Sequence, residues 1–434
     1  MSARDPKTDG LDEAQRRRLS QSRARLRVGF SRKATADMKK VIASPEESPA
    51  HRIATGSALL EWQRDRAAAR NAGRRLRFDI VLVSHFALPG GNTTANAEEI
   101  AAYREAGLTV GLLHHPVYRW DVSRPVNRKI ERLVDGDRVV LLNAHDRVSC
   151  DLMIVRLPTV VLTPLDDRPE IHAATTVVLA NQTPFKYYGP EGGVEPAWDL
   201  RTAHRNMREW VGDHTWFTVG PMVREALDEY HAEEAAALDL AAEHWYECLD
   251  ARRWALPAER PRGDGPIRIG RHSRDHELKW PTSPERLREC YPDDDRFAIH
   301  VLGGADAPRR LLGGLPGNWV EHPFGSMSAK EFLGTIDVYV YFIAAEGREA
   351  FGIAPLEAMA AGIPVVMDRR FEPLFGRAAR YCEPGEVAAT VRALAEDDAA
   401  YEAQAALARQ VIAERFSREA LLRRVAALGV RVPD

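Results

Sequence analysis

The chain has 434 residues, 45% of them apolar and 28% charged, with a net charge of -3. This is an ordinary globular balance, long enough to bury sizeable cores in two or three domains, and its near-neutral charge gives no pull towards nucleic acid. The four cysteines, Cys150, Cys248, Cys290 and Cys382, are scattered, which argues against a zinc knuckle or a disulfide framework and fits a reducing compartment.

The opening MSARDPKTDG carries no apolar signal core, and no run reaches the ~20 apolar residues that span a bilayer. A cytoplasmic protein is expected, with any membrane contact peripheral. Residues 1–75 are read as a basic, mostly helical or partly ordered extension. Between residues 13 and 41, ten Lys or Arg stand against two acids, and Leu19, Leu26, Val28 and Phe30 mark a thin apolar stripe. Two readings stand here: a solvated helix, or a face contacting anionic lipid, where each basic residue is worth about 1 kcal/mol.

Residues 76–225 read as a first Rossmann-like domain. The apolar run 78–83 suits a buried strand. Leu88-Pro-Gly90-Gly91-Asn92-Thr93-Thr94 is a glycine loop. Residues 95–106 suit a helix stopped by Gly107, and 109–113 a second strand. Further strands are expected at 138–142, 152–157, 176–180 and 215–219. Residues 226–265 read as a helical segment, extending the Ala- and Glu-rich pattern of 222–256, and a linker, the Pro- and Gly-rich stretch 257–266. A second series of strands follows at 267–269, 298–302, 338–343 and 363–367, with helices from 386 to about 427. Strands alternating with helices imply mostly parallel sheets. The expected fold is therefore α/β, with two doubly wound domains across a cleft and the second covering 266–434. Its last helices are expected to pack back on the first domain. Ligands bind such sheets at the carboxyl ends of the strands.

The most informative string is Glu346-Gly-Arg-Glu349-Ala350-Phe351-Gly352-Ile-Ala-Pro355-Leu-Glu357-Ala-Met-Ala-Ala-Gly362-Ile-Pro-Val-Val-Met367. Pro355 suits the first turn of a helix and Gly362 its end. Glu349 then sits on a loop at a strand's carboxyl end, and Glu357 in or near the helix's first turn. A carboxylate accepts two hydrogen bonds and so matches vicinal sugar hydroxyls. Gly352 lets backbone N–H groups approach a phosphate. This string, in its strand-loop-helix-strand setting, resembles the signature of retaining GT-B glycosyltransferases, and within them glycosyltransferase family 4 (glycosyl transferases group 1).

The resemblance extends over about 265–425, and more loosely over 77–225. It implies transfer of a sugar from a nucleotide-diphosphate sugar to a carbohydrate, lipid-linked or small-molecule acceptor. Gly270-Arg271 at a strand end and Lys279 beyond it resemble the pair that clamps the donor diphosphate, although the family's interval between Arg and Lys is shorter. Gly303-Gly304 and Tyr381-Cys-Glu-Pro-Gly385-Glu386 occupy matching places. The implied catalytic set is Glu349, Arg271 and Lys279. Gly90, Gly91, Gly270, Ala350, Phe351, Gly352 and Glu357 join it in holding the donor, Glu357 at the ribose. On the acceptor side stand Asn92, Thr93, His145 and Asn181, with His114 and His115 as further candidates. Asp135-Gly-Asp137 and Asp293-Asp-Asp295 have metal-site spacing but read better as turns, so no metal or other cofactor is expected. Two alternatives stay open: a non-catalytic nucleotide-sugar binder, and a sugar epimerase or phosphorylase of similar architecture.

Overall fold

The structure, a computed structural model, describes residue 8, residues 10–257 and residues 265–433. Most of MSARDPKTDG and most of the stretch 257–266 lie outside the described residues.

The basic N-terminal stretch forms three helices, α1 (Glu13–Arg27), α2 (Ser31–Ala43) and α3 (Pro49–Ala72). α1 opens on a reciprocal cap: Asp12 accepts from the Gln15 N–H at 2.7 Å, and the Gln15 side chain accepts from the Asp12 N–H at 3.2 Å. Such a pair satisfies two donors that the first turn leaves orphaned. Leu19 and Leu26 pack with Met38, Ala54, Ala58 and Leu59 in a small core of their own. Phe30 points away from that core and meets Tyr118 edge-on. The helices are tied to the next domain by the Arg66–Asp167 ion pair at 2.6 Å and by the Arg32 N–H on Asp166 at 2.8 Å.

Two parallel six-stranded sheets follow. The first contains β1 (Arg75–Ser84), β2 (Val110–His114), β3 (Val139–Leu141), β4 (Arg147–Arg156), β5 (Glu170–Ala180) and β8 (Thr215–Thr218), in the order β3-β2-β1-β4-β5-β8. Between β5 and β8 lies an antiparallel hairpin, β6 (Phe185–Gly189) and β7 (Gly192–Pro196). The second sheet holds β9 (Ile267–His272), β10 (Phe297–Leu302), β11 (Trp319–His322), β12 (Val338–Tyr341), β13 (Val365–Met367) and β14 (Arg380–Tyr381), in the order β11-β10-β9-β12-β13-β14. Both orders have the doubly wound pattern.

β4 and β5 begin five and six residues earlier than their apolar runs suggest. The first half of β4 alternates exposed with buried residues and that of β5 exposed with half-buried ones, so only the second halves read as continuous apolar segments. Helix α4 (Gly91–Glu105) also begins early, on Gly90 at φ +91°. There the Thr93 hydroxyl bonds back to the Leu88 carbonyl and secures a turn that Gly-Asn-Thr-Thr would not hold by propensity.

The expectation of helix throughout 222–256 is corrected. Helix Pro221–Tyr230 and short turns at Ala232–Ala235 and Ala251–Trp254 form, but the intervening chain is extended. Its backbone bonds to the edge of β8, Trp216 N–H to the Asp239 carbonyl at 2.7 Å and Trp245 N–H to the Thr218 carbonyl at 2.8 Å. Burial of Trp245, Cys248 and Leu249 overrides the local helical preference. At the other end, helix Arg418–Ala427 returns to the first domain. Leu421 and Val425 join the core under β1 and β2, and Arg418 pairs with Glu98 on α4 at 2.8 Å.

Candidate functional site

Strand order reverses between β1 and β4 in the first sheet and between β9 and β12 in the second, the places where such sheets open a crevice. Loops leaving these ends face each other across a cleft of about 600 Å³. One wall carries Gly91 and Asn92 after β1, and Asn181 and Gln182 after β5. The other carries Arg274 and Lys279 after β9, and Arg348 through Ile353 after β12. Tyr187 of the hairpin pairs with Gly347 across the opening.

Glu349 is the centre of the second wall. Its carboxylate bonds to Lys279 Nζ and accepts from the Tyr341 hydroxyl at 2.9 Å. Burial alone would raise its pKa. The Lys279 charge and the bonds from Lys279 and Tyr341 outweigh burial and hold it below the ordinary carboxylate value. Tyr341, buried beside that carboxylate, is pushed well above the usual phenol range.

Gly352, at φ +86°, caps helix Ile353–Ala360 and lines the cleft. The helix thus starts two residues before Pro355, and Glu357 lies in its second turn rather than its first. Glu357 does not line the cleft; its carboxylate meets His272 Nε2 at 2.7 Å. Ala350 and Phe351 do line it. The Phe351 ring meets Phe375 and Phe416 edge-on and anchors the loop in the core.

Arg271 is corrected. It is 0% exposed and does not line the cleft. Its guanidinium lies 4.3 Å from the Trp280 ring centroid and 4.7 Å from that of Tyr341. It donates to the Tyr291 hydroxyl and the Phe342 carbonyl, each at 2.8 Å, and to the Lys279 carbonyl. The arginine therefore braces the loop that presents Lys279. Gly270 is also buried: a Cβ there would run into the Ile336 side chain, so its role is close packing. The residue missed from the sequence is Arg274, which is exposed, lines the cleft and has no carboxylate partner among the described residues. Its loop is pinned by Asp275, whose side chain accepts from the Asp306 N–H at 2.6 Å. Arg274 stands five residues before Lys279, the shorter spacing that could have singled it out. Arg348, also unpaired with any acid among the described residues, was missed because it sits next to the more conspicuous Glu349.

On the first wall, Gly91 and Asn92 open α4, and Asn181 Nδ2 donates to Asn92 Oδ1 at 2.9 Å, bringing two expected residues together. Gly90 supplies the cap just outside the lining. Thr93 is corrected: it is buried, with its hydroxyl on Leu88. So is His145, which lies in the loop entering the amino end of β4, in a separate cavity against α1 and α3. His114 and His115 lie under the wall rather than on it. Burial pulls them down to about 4 and about 3, so both rings are neutral. Glu247 is a further lining residue that sequence reasoning missed. It reaches the cleft floor from the extended segment beside β8 and is held by Arg156 at 2.8 Å.

Asp135 Oδ1 accepts from three successive N–H groups, of Asp137, Arg138 and Val139, and so closes a turn. Among the described residues no group of three or more His, Cys, Asp or Glu is arranged to hold a metal ion, and no helix is long and apolar enough to cross a membrane.

No protein-family model matches the sequence, and no curated protein matches it. Solved structures do. HepE of Anabaena, in complex with UDP and glucose, is 14% identical, with 81% of this chain and 98% of that one covered at a TM-score of 0.53. A glycosyltransferase from Rickettsia africae is 14% identical, with 82% and 97% covered at a TM-score of 0.53. The shared architecture is the GT-B fold, two Rossmann-like domains facing across a cleft.

Proposed function

We propose that the chain is a retaining glycosyltransferase of the family 4 type, moving a sugar from a nucleotide-diphosphate sugar to an acceptor in this cleft. The observation that carries the reading is the second wall. There an ionised carboxylate, a lysine bonded to it and two arginines without acid partners among the described residues surround the N-terminus of helix Ile353–Ala360. That is a seat for a diphosphate beside a hydroxyl-binding carboxylate. HepE, a protein of the same fold, is in complex with UDP and glucose, which supports a nucleotide-sugar donor here.

In this reading Arg274 and Lys279 neutralise the diphosphate, with the helix N-terminus at Gly352 adding its dipole. Glu349 accepts from the hydroxyls of the transferred sugar. Glu357 stands behind the lining, bonded to His272. Arg271 acts through the Lys279 loop. The acceptor oxygen attacks the anomeric carbon on the face from which the diphosphate leaves. The C–O bond to the diphosphate breaks, the new glycosidic bond forms, and a donor phosphate oxygen takes the acceptor's proton. No protein nucleophile is needed; orientation and stabilisation of the growing diphosphate charge carry the rate.

The test is release of nucleoside diphosphate from a panel of UDP-, GDP-, ADP- and TDP-sugars, with proton NMR of the product's anomeric configuration. Release that disappears in Glu349→Ala, with a product of retained configuration, is the expected result. An inverted product refutes the retaining mechanism. A change of the donor sugar without any acceptor points to an epimerase instead.

A further inference from the structure

We propose that the N-terminal wall of the cleft seats a neutral saccharide acceptor, its ring laid on the Trp120 indole and its hydroxyls held by Asn181 and Gln182. This rests on the transferase reading above and narrows it to a class of acceptor.

Trp120 lines the cleft and is 46% exposed. Its exposed face is apolar surface that a ligand ring can cover. The buried His85 ring backs the indole at 5.5 Å with a 30° tilt, and the backbone N–H of Trp120 closes a turn onto the Val117 carbonyl at 3.0 Å. Leu88, Pro89 and Phe185 complete an apolar rim. The C–H face of a sugar ring matches such a surface, because an aromatic face is apolar and electron-rich. His85 is a lasting support. Burial first, then His114 and His115, pull its pKa down to about 3, so it carries no charge at neutral pH.

The polar groups beside this platform are amides. Asn181 Nδ2 is committed to Asn92, while Asn181 Oδ1 is buried with no hydrogen-bond partner among the described residues. Gln182 Nε2 donates to the Thr159 hydroxyl at 2.8 Å. An amide oxygen left without a partner accepts from a hydroxyl group without bringing charge.

Charge separates the two walls. On the N-terminal wall the ionisable lining residues, Lys186 and Glu247, are already paired, with Glu195 and with Arg156. Arg274 and Arg348, which have no acid partner among the described residues, stand on the opposite wall, where the donor diphosphate is placed. An acidic or phosphorylated acceptor would bury its charge against a wall that offers no free counter-charge. A polyol meets no such cost.

The full-length protein, saturated with the nucleoside diphosphate that raises its melting temperature most, is titrated with saccharides while saturation-transfer NMR and calorimetry follow binding. Maltose, cellobiose and methyl galactoside are compared with glucuronic acid and glucose 6-phosphate. Neutral saccharides are expected to bind more tightly, with Trp120→Ala weakening them roughly tenfold and Trp120→Phe less. Both variants keep the nucleotide affinity. Asn181→Ala, tested separately, also weakens the saccharides and spares the nucleotide. The proposal is overturned by tighter binding of the acidic sugars or by unchanged saccharide affinity in Trp120→Ala. It is equally overturned if every saccharide stays unbound on the order of 10 mM while the nucleotide binds. Failure of any nucleoside diphosphate to bind sinks the transferase reading itself, and this inference with it.

Discussion

Arg271 and Arg274 lie three residues apart, and replacing each in turn separates bracing from binding. Arg271→Met removes three hydrogen bonds from a charged donor, to Tyr291, Phe342 and Lys279, and two ring contacts. At ~1.5–3 kcal/mol each, the bonds amount to roughly 5–9 kcal/mol. The guanidinium has no carboxylate partner among the described residues, so several kcal/mol of desolvation offset that sum and leave a net loss of about 3 kcal/mol. For a domain of this size the melting temperature falls by roughly 6–12 °C. Arg274→Ala deletes an exposed side chain with no ion-pair partner among the described residues and leaves the melt unchanged. It removes a charged contact to the diphosphate, so nucleotide Kd rises on the order of tenfold to a hundredfold. Calorimetric melts and nucleotide titrations, both run below the variant's transition, read the two effects. If Arg271→Met melts like the parent and loses the nucleotide, while Arg274→Ala keeps it, the division of labour drawn from burial is wrong.

Glu349→Gln preserves the acceptor for Tyr341 but releases Lys279. Transfer is expected to fall by about 10²-fold while nucleoside diphosphate binding holds or tightens, as steady-state rates and titrations will show. Arg156→Leu leaves Glu99 and Glu247 as buried carboxylates without their cation, and denaturant melts should show a loss of about 3–5 kcal/mol. Replacing Glu99 by Gln in the same chain should restore part of it. The folded pKa values of His85, His114 and His115 lie at about 3, 4 and 3, below the ordinary value of 6.5. The sign follows: below about pH 6.5 the unfolded chain binds protons that the folded rings refuse, so stability falls with falling pH. Over pH 6 to 4.5 the slope approaches about 4 kcal/mol per pH unit, read from denaturant melts. A flat profile contradicts neutral burial of these rings.

Much of the architecture was legible along the chain, because strands buried on both faces are written as contiguous apolar runs. The loop from Glu346 through the helix to Gly362 was legible for a related reason. Its strand, turn, helix cap and carboxylates are neighbours in sequence, so local chemistry places them without knowledge of distant contacts. The half-exposed starts of β4 and β5, and the hairpin β6–β7, have weaker apolar patterns and escaped.

What only the tertiary structure decided is which side chains face the cleft. Arg271 shares a face of β9 with Ile269 and so enters the core, a period-two signal present in Ile-Arg-Ile-Gly-Arg. Yet the partners that make a buried arginine tolerable, Trp280, Tyr291 and Tyr341, come from separate segments. Glu247 reaches the cleft floor because Trp245 is swallowed by the core and drags an Ala- and Glu-rich stretch out of helix. Propensity is a sum over neighbours in sequence, whereas burial is set by neighbours in space. Where the two disagreed in this protein, packing prevailed.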